Sequence, residues 1–116
     1  MGDDGNNNLH MHDVNETAEA VMNTYPNYVV KKVMWDAYKR ISSSTGFTYP
    51  EVSAIIKQQQ AQGALIMDYA GHGSEIQISH EAVLRITDFQ NFTNKNLPLW
   101  ITASCDIMPF DGTIAT

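Results

Sequence analysis

Ala64-Leu65-Ile66-Met67-Asp68-Tyr69-Ala70-Gly71-His72-Gly73 and Leu97-Pro98-Leu99-Trp100-Ile101-Thr102-Ala103-Ser104-Cys105-Asp106 are the two stretches whose reading decides the fold. Each is a short apolar run that stops at a glycine or a small polar residue, the pattern of a buried strand ending in a loop. Open α/β sheets carry their chemistry at the carboxyl ends of their strands. The pattern therefore puts one histidine and the only cysteine of the chain at the same edge of one sheet. A cysteine nucleophile and its base need that proximity. The separation, 105 − 72 = 33 residues, is enough for one crossover between parallel strands.

Working outward, helices alternate with strands. Residues 14–25 read as a helix, with Asp13 as N-cap, Glu16 three residues on, and Pro26 as the stop. Residues 28–34 read as a strand rich in Val and Tyr, with Trp35 and Asp36 at its carboxyl end. A Ser-rich loop, 42–46, leads to a second helix. Thr48 and Glu51 form its expected capping box, Pro50 fits its first turn, and Gly63 follows its end. Ile76 and Ile78 alternate with polar neighbours, as in a short hairpin arm. Thr87 with Gln90 caps a third helix carrying Phe89 and Phe92. Such alternation indicates an α/β fold with a mainly parallel sheet and right-handed crossovers. The polar opening, 2–13, has no element before it, which predicts a strand upstream that anchors it.

Composition limits the function classes. The 116 residues suit one domain, and 43% hydrophobic residues is ordinary for a globular protein. No apolar run is long enough for a membrane span, and Met1-Gly2-Asp3-Asp4-Gly5 has no leader-peptide pattern. A net charge of −6 argues against nucleic acid as a partner. The basic pairs Lys31-Lys32 and Lys39-Arg40 read as solvated faces. A single cysteine excludes an internal disulfide, so the thiol is either core filler or a reactive group.

The chemistry concentrates on a few residues. Glycines on both sides of His72 leave space that a core histidine would not need. A Cys105 thiolate at a strand exit is stabilised by an imidazolium and by backbone N–H groups, and the N–H groups of Gly73 and Cys105 are candidates for an oxyanion hole. Trp35 and Asp36 face the same edge; they line a substrate pocket or, equally, Trp35 closes the core. His10-Met11-His12-Asp13 has ligand types but no known two-histidine spacing, and Asp3–Asn8 lacks the spacing of a calcium loop. No metal and no cofactor are expected. His80 has no partner in the sequence and reads as exposed.

The run Asp68 to Glu75, followed by the strand ending at Cys105 and then by Phe110, resembles the gingipain family of cysteine peptidases. The resemblance extends from the Gly-Asp-Asp-Gly opening to Asp111, and the opening is most similar to the PorU branch, the sortases of type IX secretion. It implies a caspase-like three-layer α/β sandwich with helices on both faces, of which residues 1–116 are a partial catalytic domain. It further implies His72 as the base, Cys105 as the nucleophile, and Asp3 or Asp4 as the third group, with Asp3 favoured. Glu75 is then a substrate-binding candidate or simply solvated, and Met108-Pro109-Phe110 shape the pocket wall. The implied partners are the sorting domains of secreted proteins, as polypeptide substrate, and other type IX secretion components. The implied location is the outer-membrane cell surface. Two rivals stand beside this reading. One is an inactive structural piece that self-associates through cut sheet edges. The other is a phospho-acceptor receiver domain, which needs an acidic residue and a lysine at strand ends that this chain does not supply.

Overall fold

The structure, a computed structural model, describes residues 1–107. Met108-Pro109-Phe110 and Asp111 lie outside the described residues. In chain order the elements are α1 (Gly5–Thr24), a 3-10 turn (Trp35–Ala37), β1 (Ile41–Ser43), β2 (Gly46–Thr48), α2 (Pro50–Gln62), β3 (Ile66–Ala70), β4 (Gly73–Ser74), β5 (Gln77–Ile78), β6 (Leu84–Arg85), α3 (Ile86–Asn91) and β7 (Leu99–Ala103). The fold is mixed α/β, as the alternation implies.

β3 and β7 pair in parallel, in register from Ile66 with Leu99 to Ala70 with Ala103. On the other side of β3 runs the extended segment 1–3. Its Asp3 N–H donates to Ala70 O (3.3 Å), and Ala70 N–H returns a bond to Met1 O (3.0 Å). Beyond it lies the segment around Met34, held by Gly2 N–H to Val33 O (3.1 Å) and Trp35 N–H to Gly2 O (3.2 Å). Both bridges of Gly2, to Met34 and to Ala70, are parallel. The spatial order is thus residues 33–35, residues 1–3, β3, β7. The chain first adds a neighbour on one side of its opening segment and then on the other. The order reverses between residues 1–3 and β3, and at such a reversal the loops diverge and leave a crevice at the carboxyl ends.

One face of this sheet packs on α2. Val52 and Ile56 of α2 are buried against Val33, Trp35, Met67, Tyr69, Ile78, Val83 and Leu84. Met1 packs against the same core. Gly2, the next residue on an extended chain, therefore faces the other way. A Cβ there would lie 2.8 Å from Val14 Cγ2 and 2.9 Å from Met11 Cα, so the missing side chain lets α1 seat Met11 and Val14 directly on the backbone. Helices thus cover both faces, but α1 leaves Ile66, Leu99 and Ile101 about half exposed.

Several boundaries differ from the sequence expectations. α1 begins before Asp13, because burying Met11 recruits residues 9–12 into the helix. Residues 6–8 take left-handed φ values of 52°, 55° and 64° at its start. The expected strand 28–34 pairs only at Met34, and Val29 is fully exposed. The Ser-rich stretch is a hairpin, not a loop. Its turn is held by Ser43 Oγ donating to Gly46 O (2.9 Å) and by Gly46 at φ 119°. Thr48 ends β2, so Tyr49 stands at the α2 N-cap, while Pro50 and Gly63 take their expected places. α3 starts at Ile86, capped by Asp88 Oδ2 accepting from Arg85 N–H (2.8 Å) and not by Thr87 with Gln90.

Candidate active site

Asp3 and His72 meet at the carboxyl ends of residues 1–3 and β3, where the strand order reverses. Asp3 ends its segment and is 1% exposed. A carboxylate so far from water must be met by donors. Oδ2 accepts from His72 N–H (2.6 Å) and lies 3.0 Å from His72 Nδ1, while Oδ1 accepts from Gly5 N–H (3.2 Å). The Tyr69 hydroxyl is 3.2 Å from Oδ2 and 2.6 Å from His72 O, two acceptors for one proton. Burial pushes the Asp3 carboxyl up. The hydrogen bonds from the His72 backbone and ring and from Gly5, with the His72 charge, outweigh it and hold the group below the ordinary carboxylate value. Burial, then the neighbouring Asp3 charge, raises the Tyr69 phenol, which stays protonated and a donor. Asp4, the other candidate, turns away and accepts from Tyr49 Oη (2.6 Å).

The imidazole of His72 presents Nδ1 to Asp3. Among the described residues its Nε2 has no hydrogen-bond partner. The glycines that shape this corner serve different neighbours. A Cβ on Gly5 would overlap the His72 ring, 2.6 Å from Nδ1, so Gly5 backs the imidazole. One on Gly71 would sit 2.6 Å from Asp3 Cγ, so Gly71 makes room for the acid. One on Gly73 would collide with Ser104 Oγ and lie 2.8 Å from Cys105 O.

Cys105 follows β7 by two residues and is exposed. Gly71 N–H donates to Ala103 O (3.2 Å), which extends the β3–β7 ladder into the turns beyond it. The histidine turn and the cysteine turn are thus in contact, as the shared strand edge requires. Ser104 Oγ is buried there without a hydrogen-bond partner among the described residues. Gly73 lies in β4, opposite Ile78. Glu75 is in the turn after β4, where Ser74, Glu75, Ile76 and Asp106 line an open hollow of about 350 Å³. A larger cleft of about 860 Å³ lies at the opposite end of the sheet, with Val21, Tyr28, Val30 and Leu65 among its walls and none of Asp3, His72 or Cys105.

Trp35 and Asp36 do not share one environment. Trp35 is fully buried beneath the site, stacked on Tyr69 at 5.9 Å, with Nε1 donating to Ser79 Oγ (3.0 Å). It takes the core-closing reading of the two. Asp36 is exposed in the 3-10 turn.

The sequence does not place three neighbours of His72 beside it. Tyr69 reads only as a strand residue. His10 meets the His72 ring edge-on at 5.3 Å, and His80, exposed, lies over it at 4.2 Å. His12 points elsewhere, 3.7 Å from both Asp13 and Glu16. His10 and His72 are 72 − 10 = 62 residues apart, and no local spacing signals their contact.

An ionised carboxylate at one imidazole nitrogen fixes the orientation of the ring, the arrangement by which a general base is held in place. No curated protein and no solved structure matches the chain. The model of Peptidase family C25 matches residues 1–116, the whole length, and with it the chain belongs to that family, the gingipain family of cysteine peptidases.

Proposed function

We propose that residues 1–116 carry the catalytic centre of a gingipain-type endopeptidase that also transfers its acyl group, a PorU-type sortase of type IX secretion. In this reading Cys105 attacks the scissile carbonyl as thiolate. The N–H groups of Gly73 and Cys105 hold the oxyanion. His72 gives a proton to the leaving amine, and Asp3 orients the imidazole and offsets its charge. The thioester on Cys105 then passes to water or to an amine acceptor. The substrates are secreted proteins bearing C-terminal sorting domains, met at the cell surface beside other type IX components. Glu75, on the rim of the hollow next to Asp106, contacts the substrate.

The observation that carries this reading is the pairing of the buried Asp3 with the half-buried His72, set at the point where the strand order reverses, with the Cys105 turn packed against the His72 turn. The test is alkylation of Cys105 by iodoacetamide as a function of pH. Wild-type reactivity is expected to titrate well below the free-thiol value of about 8.5 and to lose that profile in His72→Ala. An ordinary thiol profile, unchanged by His72→Ala, overturns the proposal. Release of a sorting domain from a cargo protein then separates the sortase assignment from the coarser peptidase one.

A further inference from the structure

Among the described residues, one group of three metal-ligating side chains converges, Asp3, His10 and His72, with one ligand atom from each lying within 4.8 Å of the others. We infer that these three bind a divalent ion of the zinc class, and that the ion holds the catalytic pair in a closed, resting state. Binding itself follows from the geometry alone; the closed state rests on the functional reading above.

Two of the ligand atoms already stand at the right separation. Zinc bonds of about 2.0–2.2 Å to nitrogen and oxygen put neighbouring ligand atoms roughly 3–3.5 Å apart, and His72 Nδ1 is 3.0 Å from Asp3 Oδ2. That half of the site is rigid, because the His72 and Gly5 backbone N–H groups clamp the carboxylate. His10 is the movable third. Among the described residues its Nε2 meets only the exposed Asn6 amide (3.1 Å), and one residue, Leu9, separates it from the left-handed turn 6–8. Its ligand atom lies within 4.8 Å of the other two, so closing to ligand-to-ligand contact needs only a local adjustment of this side chain. Both histidines are half-buried, so the ion has a path from solvent.

The donor set selects the ion. Two imidazoles and one carboxylate suit zinc, cobalt and nickel, whereas calcium and magnesium call for oxygen-rich shells. Three protein ligands leave a fourth position for water. The ion replaces the proton on His72 Nδ1, which passes to solvent, and it takes over the Asp3 oxygen that the imidazole used. With Nδ1 on the metal and a proton on Nε2, the ring is neutral and has no free lone pair. It can neither accept the Cys105 proton nor pair with the thiolate.

The test uses the full chain, titrated with Zn2+ by calorimetry and with Co2+ by visible absorption. One site is expected, weakened about 10- to 100-fold in His10→Ala and His10→Gln and unchanged in His12→Ala and Cys105→Ser. Two substitutions at His10, each checked for an unaltered thermal midpoint, separate a lost ligand from a lost fold. Undiminished affinity in both His10 variants, or loss in His12→Ala, overturns the site. Zn2+ is further expected to slow Cys105 alkylation in wild type and not in His10→Ala. Equal slowing in both overturns the resting state and leaves a metal–thiol contact as the cause. If metal-free Cys105 instead shows an ordinary thiol profile while binding still depends on His10, the peptidase reading fails and the metal site stands.

Discussion

Asp3 shows how one residue sets the electrostatics of the whole corner. At 1% exposure its carboxylate has lost its water, and the surrounding donors are what keep it ionised. Asp3→Asn removes the charge and turns an NH2 group toward amide donors that need an acceptor. A loss of about 2–3 kcal/mol is expected, the cost of unpairing hydrogen bonds made to a buried charge, measured by urea unfolding at neutral pH. The pH dependence has a definite sign. The folded carboxyl ionises below its ordinary value, so its stabilisation is complete above about pH 4, where the unfolded chain is also ionised. It is lost as pH falls through the lowered folded value. The stability gap between wild type and Asp3→Asn should therefore shrink below about pH 4, and a gap that stays constant into stronger acid shows that this carboxyl is not linked to folding. At this scale the sequence was informative where a residue's position follows from its strand. His72 and Cys105 announce themselves as ends of apolar runs. The choice between Asp3 and Asp4 does not, since Asp-Asp-Gly is also ordinary turn chemistry. Only the pairing of residues 1–3 with β3 turns Asp3 to His72 and Asp4 to Tyr49.

The element with the most to explain is the start of α1. Asn6, Asn7 and Asn8 form nearly a full left-handed turn, a conformation that costs an ordinary L-residue roughly 1–2 kcal/mol and that asparagine tolerates best after glycine. This turn folds the chain back over Asp3, so that Gly5 backs the His72 ring and His10 reaches its edge. Asn7→Val should destabilise the protein by about 1–2 kcal/mol, while Asn7→Gly should stay within about 0.5 kcal/mol of wild type, both read from denaturant midpoints. Equal effects from the two substitutions show that the left-handed backbone is not what residue 7 supplies. A triple asparagine reads in sequence as a short polar tract. The capping pattern at Asp13 is locally good and marks a helix start there, yet burial of Met11 against Gly2 overrides it. The pairing partner of an extended segment is equally silent in sequence, which is why residues 28–34 passed for a strand while only Met34 bridges. α2 was legible because Pro50, Val52, Ile56 and Gly63 all point the same way.

For the molecule as a whole, alternation of helix and strand gave the α/β class and the parallel β3–β7 pair, but not the strand order. That order depends on which side of residues 1–3 each later strand joins, a decision made by packing between residues far apart in the chain. The outcome leaves an imbalance. Parallel sheets are ordinarily covered on both faces, and the α2 face is, with Tyr69 and Leu84 fully buried. On the α1 face Leu99 is 61% exposed, Ile66 50% and Ile101 47%, three apolar side chains on adjacent strands. β7 also pairs only with β3 among the described residues, so its outer edge adds unpaired backbone groups to that apolar surface. Residues 1–116 in isolation are therefore expected to self-associate as concentration rises, detected by light scattering coupled to size exclusion. Ile101→Lys places a charge in the middle of the patch without touching the α2 core, and it should shift the chain toward monomer while leaving the thermal midpoint of the monomer nearly unchanged. A wild-type chain that stays monomeric throughout overturns the assignment of this face as a contact surface. Association that survives Ile101→Lys locates the contact elsewhere, with the cleft walled by Tyr28 and Leu65 the next apolar surface to mutate.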